Sequence, residues 1–175
     1  MPRILCLSGS LRTASSSKAV VETIRLKLAS EGAFSTFDIG LLPHYNADLD
    51  PLPEPVIALK TAIAEADGLI VVTPEYNYSV PGVLKNAIDW ASRPGYASVM
   101  KGKPVFIASV SGGALGGVRA QAHLKNVLGA VLAQTFVWQE VAITHANTKT
   151  KDGLLVDEAT ETFLFEALRA FFATL

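Results

Sequence analysis

One cysteine, Cys6, stands in a chain of 175 residues, which excludes an internal disulfide and any zinc site built on several cysteines. The three histidines, His44, His123 and His145, are scattered. No His-Glu-x-x-His or Gly-x-Ser-x-Gly pattern occurs, so the chain offers neither a zinc-hydrolase helix nor a serine nucleophile elbow. Charge is scarce and balanced. With 18% charged residues and a formal net charge of −1, no basic field exists to attract nucleic acid or an anionic membrane surface. Purely apolar runs such as Leu69–Val72 are far below the roughly 20 residues a membrane helix needs. Met1-Pro2-Arg3 leads straight into a strand-like segment with no small-residue cleavage pattern, so a cytoplasmic location is expected. Repeats, linkers and low-complexity tracts are also missing.

Half of the residues are hydrophobic, ample for a buried core, and the length suits one domain over residues 1–175. Apolar runs of strand length alternate with helix-length periodic segments. Ile4–Ser8 reads as a first strand, followed by the helical stripe Val20, Ile24 and Leu28, ending near Gly32. Phe34–Ile39 is a short second strand; after a loop with Pro43, Pro51, Pro53 and Pro55, a helix runs to about Ala66. Gly68–Thr73 is apolar on both faces, as a central parallel strand should be. Val83, Leu84, Ala87, Ile88 and Ala91 mark the next helix, Pro104–Val110 a fourth strand, and Leu124, Val127, Leu128 and Val131 a fourth helix. A fifth strand lies within Thr135–Ile143, its broken alternation pointing to an edge or a kink. Lys149–Gly153 is turn-like, and Leu164, Leu168, Phe171, Phe172 and Leu175 define a C-terminal helix. This alternation predicts an α/β fold, a flavodoxin-like doubly wound five-stranded parallel sheet of order 2-1-3-4-5 with helices on both faces. In that order a ligand sits beyond the carboxyl ends of the strands, among the loops after strands one, three and four.

Those three loops are chemically uneven. The first, Ser8-Gly9-Ser10-Leu11-Arg12-Thr13-Ala14-Ser15-Ser16-Ser17, precedes a helix whose N-terminus exposes unpaired N–H groups and partial positive charge, a receptor for phosphate. Hydroxyls of Ser10, Ser15 and Ser17 can donate to phosphate oxygens, and Arg12 adds a fork of charged donors. The plain structural alternative is a serine N-cap beside a surface arginine, which would need one serine rather than several. Neither Gly-x-x-x-x-Gly-Lys-Ser/Thr nor Gly-x-Gly-x-x-Gly follows the first strand, so a phosphomonoester fits better than a nucleoside triphosphate or a Rossmann-bound dinucleotide. The second loop, Thr73-Pro74-Glu75-Tyr76-Asn77-Tyr78-Ser79-Val80-Pro81-Gly82, is stiffened by two prolines and suits the edge of a flat heterocycle. Pro81 also has the ordinary meaning of a helix-start proline, and Tyr78 suits a core or an interface as well as a ligand wall. The third, Ser111-Gly112-Gly113-Ala114-Leu115-Gly116-Gly117, allows close backbone approach to a ligand's polar edge.

Together these segments resemble the NAD(P)H-dependent FMN reductase family of flavodoxin-like proteins, which includes chromate and quinone reductases. The matching residues are Gly9-Ser10-Leu11-Arg12 with Ser15, and Pro74-Glu75-Tyr76-Asn77 with Pro81-Gly82-x-Leu84-Lys85-Asn86-x-Ile88-Asp89-Trp90. Ser111-Gly112-Gly113 with Gly116-Gly117-x-Arg119-Ala120-Gln121, and Leu42-Pro43-x-Tyr45-Asn46-x-Asp48, complete the set. The resemblance runs from about residue 3 to at least 143. It implies FMN as bound cofactor and NAD(P)H as hydride donor, with small acceptors (quinones, flavins, chromate or azo compounds) reduced in a ping-pong cycle. It implies that Ser10, Arg12, Ser15 and Ser17 hold the phosphate; at Ser17 many members carry asparagine. Pro74, Glu75, Tyr76 and Asn77 would border the isoalloxazine, and Ser111, Gly112 and Gly113 would approach its pyrimidine side. The family also implies a homodimer or homotetramer. No catalytic acid–base pair is required, since the flavin itself carries the redox chemistry.

Two other readings fit the same fold: a flavodoxin-type electron-transfer module reduced by a protein partner, and a phosphoester-binding hydrolase. The near-neutral net charge offers little steering toward a basic redox partner. The single-phosphate loop yields a direct expectation. Chromophore released by heat from the purified or reconstituted protein has the mass of FMN, and stoichiometric FAD, or no flavin uptake, contradicts it.

Overall fold

In the computed structural model, which describes residues 1–175, strand β1 (Arg3–Ser8) lies between β2 (Ala33–Thr36) and β3 (Gly68–Pro74). Strand β4 (Pro104–Val110) pairs with the other side of β3. All of these pairings are parallel, and the order 2-1-3-4-5 is the one expected. Each parallel step needs a crossover helix. These are α1 (Ser16–Lys27), α2 (Glu54–Glu65), α3 (Gly82–Ala91) and α4 (Val118–Ala130).

Period-two alternation in the three central strands divides the core in two. Leu5, Leu7, Leu69, Val71, Val105 and Ile107 face the layer of α2, α3 and α4. Ile4, Cys6, Ile70, Val72, Phe106, Ala108 and Val110 face α1 and the C-terminal helix α6 (Glu158–Phe172). Phe171 is fully buried and meets Phe106 and Phe136 at 5.8 and 5.4 Å between ring centroids. Asp157 starts α6 as expected of an N-cap, its carboxylate accepting from Thr160 N–H.

Several boundaries differ from the sequence reading, among them the C-terminal helix, which ends at Phe172 short of Leu175. The first helix stops at Lys27 instead of near Gly32. The second strand ends at Thr36, because Asp38 accepts from Gly40 N–H and turns residues 39–41 into a 3₁₀ turn. The fifth strand is two pieces, β5 (Gln134–Thr135) and β6 (Val141–Ile143), each paired with β4. The broken alternation reported this interruption, and its edge position holds. Beyond it come α5 (Ala146–Lys149) and, around the turn-like Lys149–Gly153, a small hairpin of β7 (Thr150–Lys151) and β8 (Leu154–Leu155). The hairpin is tied to α1, where Leu155 N–H donates to the buried Thr23 hydroxyl at 2.8 Å.

The loop after β2 is held by matched residues whose role is structural. Asn86 Nδ2 and Trp90 Nε1 both donate to the Pro43 carbonyl, at 2.9 and 2.8 Å, and Tyr45 N–H donates to Asn86 Oδ1 at 2.7 Å. This satisfies the buried indole and the half-buried amide. No helix is long and apolar enough to cross a membrane.

Burial in the sheet pushes the Cys6 thiol up to about 12. Because the thiolate is the nucleophile, native protein at pH 8 is expected to react with an aromatic disulfide reagent far more slowly than protein in denaturant. Equal rates would show that Cys6 is not held in the core.

Candidate functional site

Site construction starts where β1 ends. Gly9 N–H continues the ladder to Val72 O at 2.8 Å, drawing the first loop against the start of the third. A Cβ on Gly9 would lie 2.7 Å from Thr73 Oγ1 and 3.2 Å from Pro74 Cδ. Only glycine allows the two loops to touch.

The chain then enters α1 through Ser15, which holds the N-cap position but makes no side-chain cap. Its hydroxyl instead pairs with Ser17 Oγ at 2.8 Å, and Ser17 Oγ pairs with Ser8 Oγ at 2.9 Å. The first-turn N–H groups of α1 have no intrahelical partner and receive no cap from Ser15. Ser15 therefore does not act as the side-chain cap of the plain structural alternative. Arg12 is exposed; its guanidinium donates to Ala14 O alone, at 3.4 Å, leaving most of its donors free.

Ser10, Arg12 and Ser15 share one cleft of about 590 Å³ with Ser8, Lys18 and Asn147. Ser17 does not line it. Fully buried and holding two hydroxyl neighbours, Ser17 orients Ser15 and Ser8 rather than facing the cleft. The loops after β3 and β4 lie outside this cleft's lining, although Gly9 and Asn147 join them to it. A smaller cavity of about 230 Å³, between Phe106 and Trp138, sits at the sheet edge away from these loops.

The loop after β3 owes its shape to a turn as much as to its prolines. Tyr76 and Ser79 exchange both backbone hydrogen bonds at 3.0 Å, with Asn77 and Tyr78 between them at φ of 50° and 64°. Two successive positive φ values define a type I′ turn, for which Asn-Gly is the favoured pair. Asn77 suits its position. Tyr78 carries a Cβ in the left-handed region, a cost of about 1–2 kcal/mol. The Arg119 guanidinium lies 4.2 Å from the Tyr78 ring centroid, and such contacts contribute about 0.5–1 kcal/mol when exposed. Stacking therefore offsets only part of the strain.

Glu75 supplies the main fastening. Its Oε2 accepts from the backbone N–H groups of Arg119 and Ala120 at 3.1 and 3.4 Å, and its Oε1 accepts from Arg119 Nη1 at 3.3 Å. A carboxylate at the N-terminus of α4 is favoured by the helix dipole. The structure thus gives Glu75 a binding task inside the protein, holding the loop after β3 to α4. Ser79 Oγ and His123 Nδ1, 3.0 Å apart, add a further link.

The glycine loop is anchored at its far end. Gly117 has φ 87°, and a Cβ there would come within 3.0 Å of Ser109 Cβ. Ser109 Oγ donates to Gly116 O at 2.6 Å, while the buried Gln121 donates through Nε2 to Ser109 Oγ and Val141 O, each at 2.9 Å. Ser111, Gly112 and Gly113 are left at the rim, half-buried or exposed.

Sequence reasoning did not single out Lys18 or Asn147. Lys18 follows the hydroxyl run by one residue; Asn147 reaches the cleft because β6 pairs with β4, which no local spacing announces.

The sheet order and the open helix start at its switch point define a flavodoxin-like α/β protein, a class whose ligands lie beyond the carboxyl ends of the strands. Residues 2–148 match the family model "NADPH-dependent FMN reductase", and the chain belongs to that family. It is similar to a 2-hydroxy-1,4-benzoquinone reductase of a Burkholderia species, 43% identical over 93% of this chain and 90% of the relative. A quinone reductase of Escherichia coli K12 is 38% identical over 97% and 93%. Among solved structures, the flavoenzyme NAD(P)H:(acceptor) oxidoreductase FerB of Paracoccus denitrificans superposes with TM-score 0.90 at 38% identity, covering 99% and 96% of the two chains. The protein is accordingly an oxidoreductase of the FMN reductase type, with FMN and NAD(P)H involved in its reaction.

If Glu75 fastens the loop to α4, Glu75→Ala lowers the stability of the flavin-free protein by about 1 kcal/mol, the scale of a helix cap. In urea denaturation Glu75→Gln, which keeps an acceptor, loses less. The effects of Glu75→Ala and Arg119→Ala should be non-additive; strict additivity would show that the pair does not act together.

Proposed function

We propose that residues 1–175 act as one FMN-binding unit that reduces small quinone-type acceptors at the expense of NAD(P)H. The observation that carries this reading is the uncapped start of α1, opening with Ser10, Arg12 and Ser15 into one cleft in a chain of this family. The donor set fits a phosphomonoester: helix N–H groups, two hydroxyls and one free guanidinium, with Lys18 beside them. FMN, when bound, supplies the redox chemistry.

What the chain contributes is placement. The first loop holds the phosphate, and Ser17 keeps the hydroxyls of Ser8 and Ser15 turned correctly. Pro74, Glu75, Tyr76 and Asn77 form a stiff border for the ring, held to α4 through Glu75 and Arg119. Ser111, Gly112 and Gly113 offer backbone N–H groups to the polar edge of the ring, with no side chain to obstruct approach. Exposed apolar side chains beside these loops, Tyr76, Tyr78 and Leu115, suit association of subunits into a dimer or tetramer around the site. Similarity to quinone reductases along nearly the whole chain supports an enzyme over a carrier reduced by a protein partner.

Arg12→Ala is expected to weaken FMN binding by about 1.5–3 kcal/mol, the scale of a hydrogen bond to a charged group, and to leave riboflavin binding unchanged. Equal losses for both ligands would place Arg12 outside the phosphate site. With wild-type protein, NAD(P)H added anaerobically should bleach the bound flavin and a quinone should restore its colour. Steady-state lines at several quinone concentrations should be parallel. A flavin that only a reductase protein can reduce would transfer the chain to the electron-carrier class.

A further inference from the structure

The segment after β6 is built into the site. Parallel pairing of β4 with β6 continues past both strands: Ser111 N–H donates to Ile143 O at 3.0 Å, Ala146 N–H to Ser111 O at 2.9 Å, and His145 N–H to Gly113 O at 3.1 Å. These bonds carry the chain across the glycine loop and deliver Asn147 beside Gly112. There the Asn147 carboxamide packs so closely that a Cβ on Gly112 would lie 2.8 Å from its Nδ2. Asn147 also lines the cleft that contains Ser10, Arg12 and Ser15. Its side chain therefore adjoins both the glycine loop and the cleft. On the opposite side, the Thr150 hydroxyl lies 3.4 Å from Ser16 Oγ, and the hairpin is tied to α1 through Leu155 and Thr23. The segment is thus fixed from two directions.

We propose that Asn147 is a further cofactor-binding residue, whose carboxamide hydrogen-bonds the polyol chain joining the ring of the mononucleotide to its phosphate. This assignment rests on the FMN reading above. A ligand with its phosphate on the first loop and its ring edge on the glycine loop must pass its connecting chain between them, where Asn147 stands. A carboxamide offers two donors and an acceptor, which suits hydroxyls that both give and accept. An aliphatic side chain at 147 would leave those hydroxyls unpaired, and a carboxylate would bring negative charge toward the phosphate. Gly112 has a second purpose in this arrangement, because its missing side chain makes room for the Asn147 amide.

Three flavins separate the parts of the site: FMN, riboflavin, which lacks the phosphate, and lumiflavin, which lacks both phosphate and polyol. Each is titrated into flavin-free protein and followed by flavin fluorescence. Asn147→Ala should weaken FMN and riboflavin alike, by about five- to tenfold, the scale of one or two neutral hydrogen bonds, and leave lumiflavin unchanged. Arg12→Ala, run in parallel, should weaken FMN alone. Asn147 is exposed, so the melting temperature of the flavin-free variant should equal that of wild type. Unchanged affinity for riboflavin, or an equal loss for lumiflavin, overturns the polyol assignment while leaving the flavin reading intact. A wild-type protein that takes up none of the three overturns the flavin reading itself, and the Asn147 assignment with it.

Discussion

The contact between Gly9 and the Thr73–Pro74 step governs the geometry of this molecule's working end. Parallel pairing aligns β1 with β3 and β3 with β4, so all three strands send their loops over the same edge. Alignment alone would leave those loops side by side without contact. Because Gly9 has no side chain, β1 can extend its ladder one residue further, to Val72 O, and the hydroxyl-rich first loop rests directly on the loop after β3. A methyl group there would meet Thr73 Oγ1 at 2.7 Å, and the two loops would have to part.

The same economy recurs where each loop meets a helix. At α1 the N-cap serine makes no side-chain cap, its hydroxyl engaged by the Ser17 side chain, and the helix N-terminus stays open. At α4 the opposite holds: Glu75, from another loop, occupies the N-terminal N–H groups. An open N-terminus is a receptor for an anion, and an occupied one is an anchor. The two helix starts therefore differ: one is left open, and the other holds the strained Asn77–Tyr78 turn in place. Strain of this kind persists only where surroundings over-determine it. Here Arg119, Glu75, and the Ser79–His123 link do so.

Conformity to a family motif covers residues with different duties. Trp90 and Asn86 in the block after Pro81 anchor the loop around Pro43 and do not line the first loop's cleft. Gln121 closes a buried set of hydrogen bonds linking β4, the glycine loop and β6. Trp90 and Gln121 are buried and Asn86 half-buried, so their polar groups need partners. The same property makes such residues hard to distinguish by sequence from ligand contacts.

The strand order, the two-faced core and the three loops at the carboxyl edge were legible from the sequence, because apolar periodicity is a local property that the parallel fold must obey. The hydroxyl-rich run ending at Ser17 was legible for a similar reason: residue types before a helix start declare their chemistry without reference to distant parts of the chain. Tertiary structure alone decided that Ser17 faces two hydroxyls instead of the cleft, and that Glu75 is spent on α4. It alone brought Asn147, just ahead of the turn-like Lys149–Gly153, against Gly112. Direction and partnership of a polar side chain depend on contacts across 9, 44 or 35 residues of sequence, and no periodicity records them.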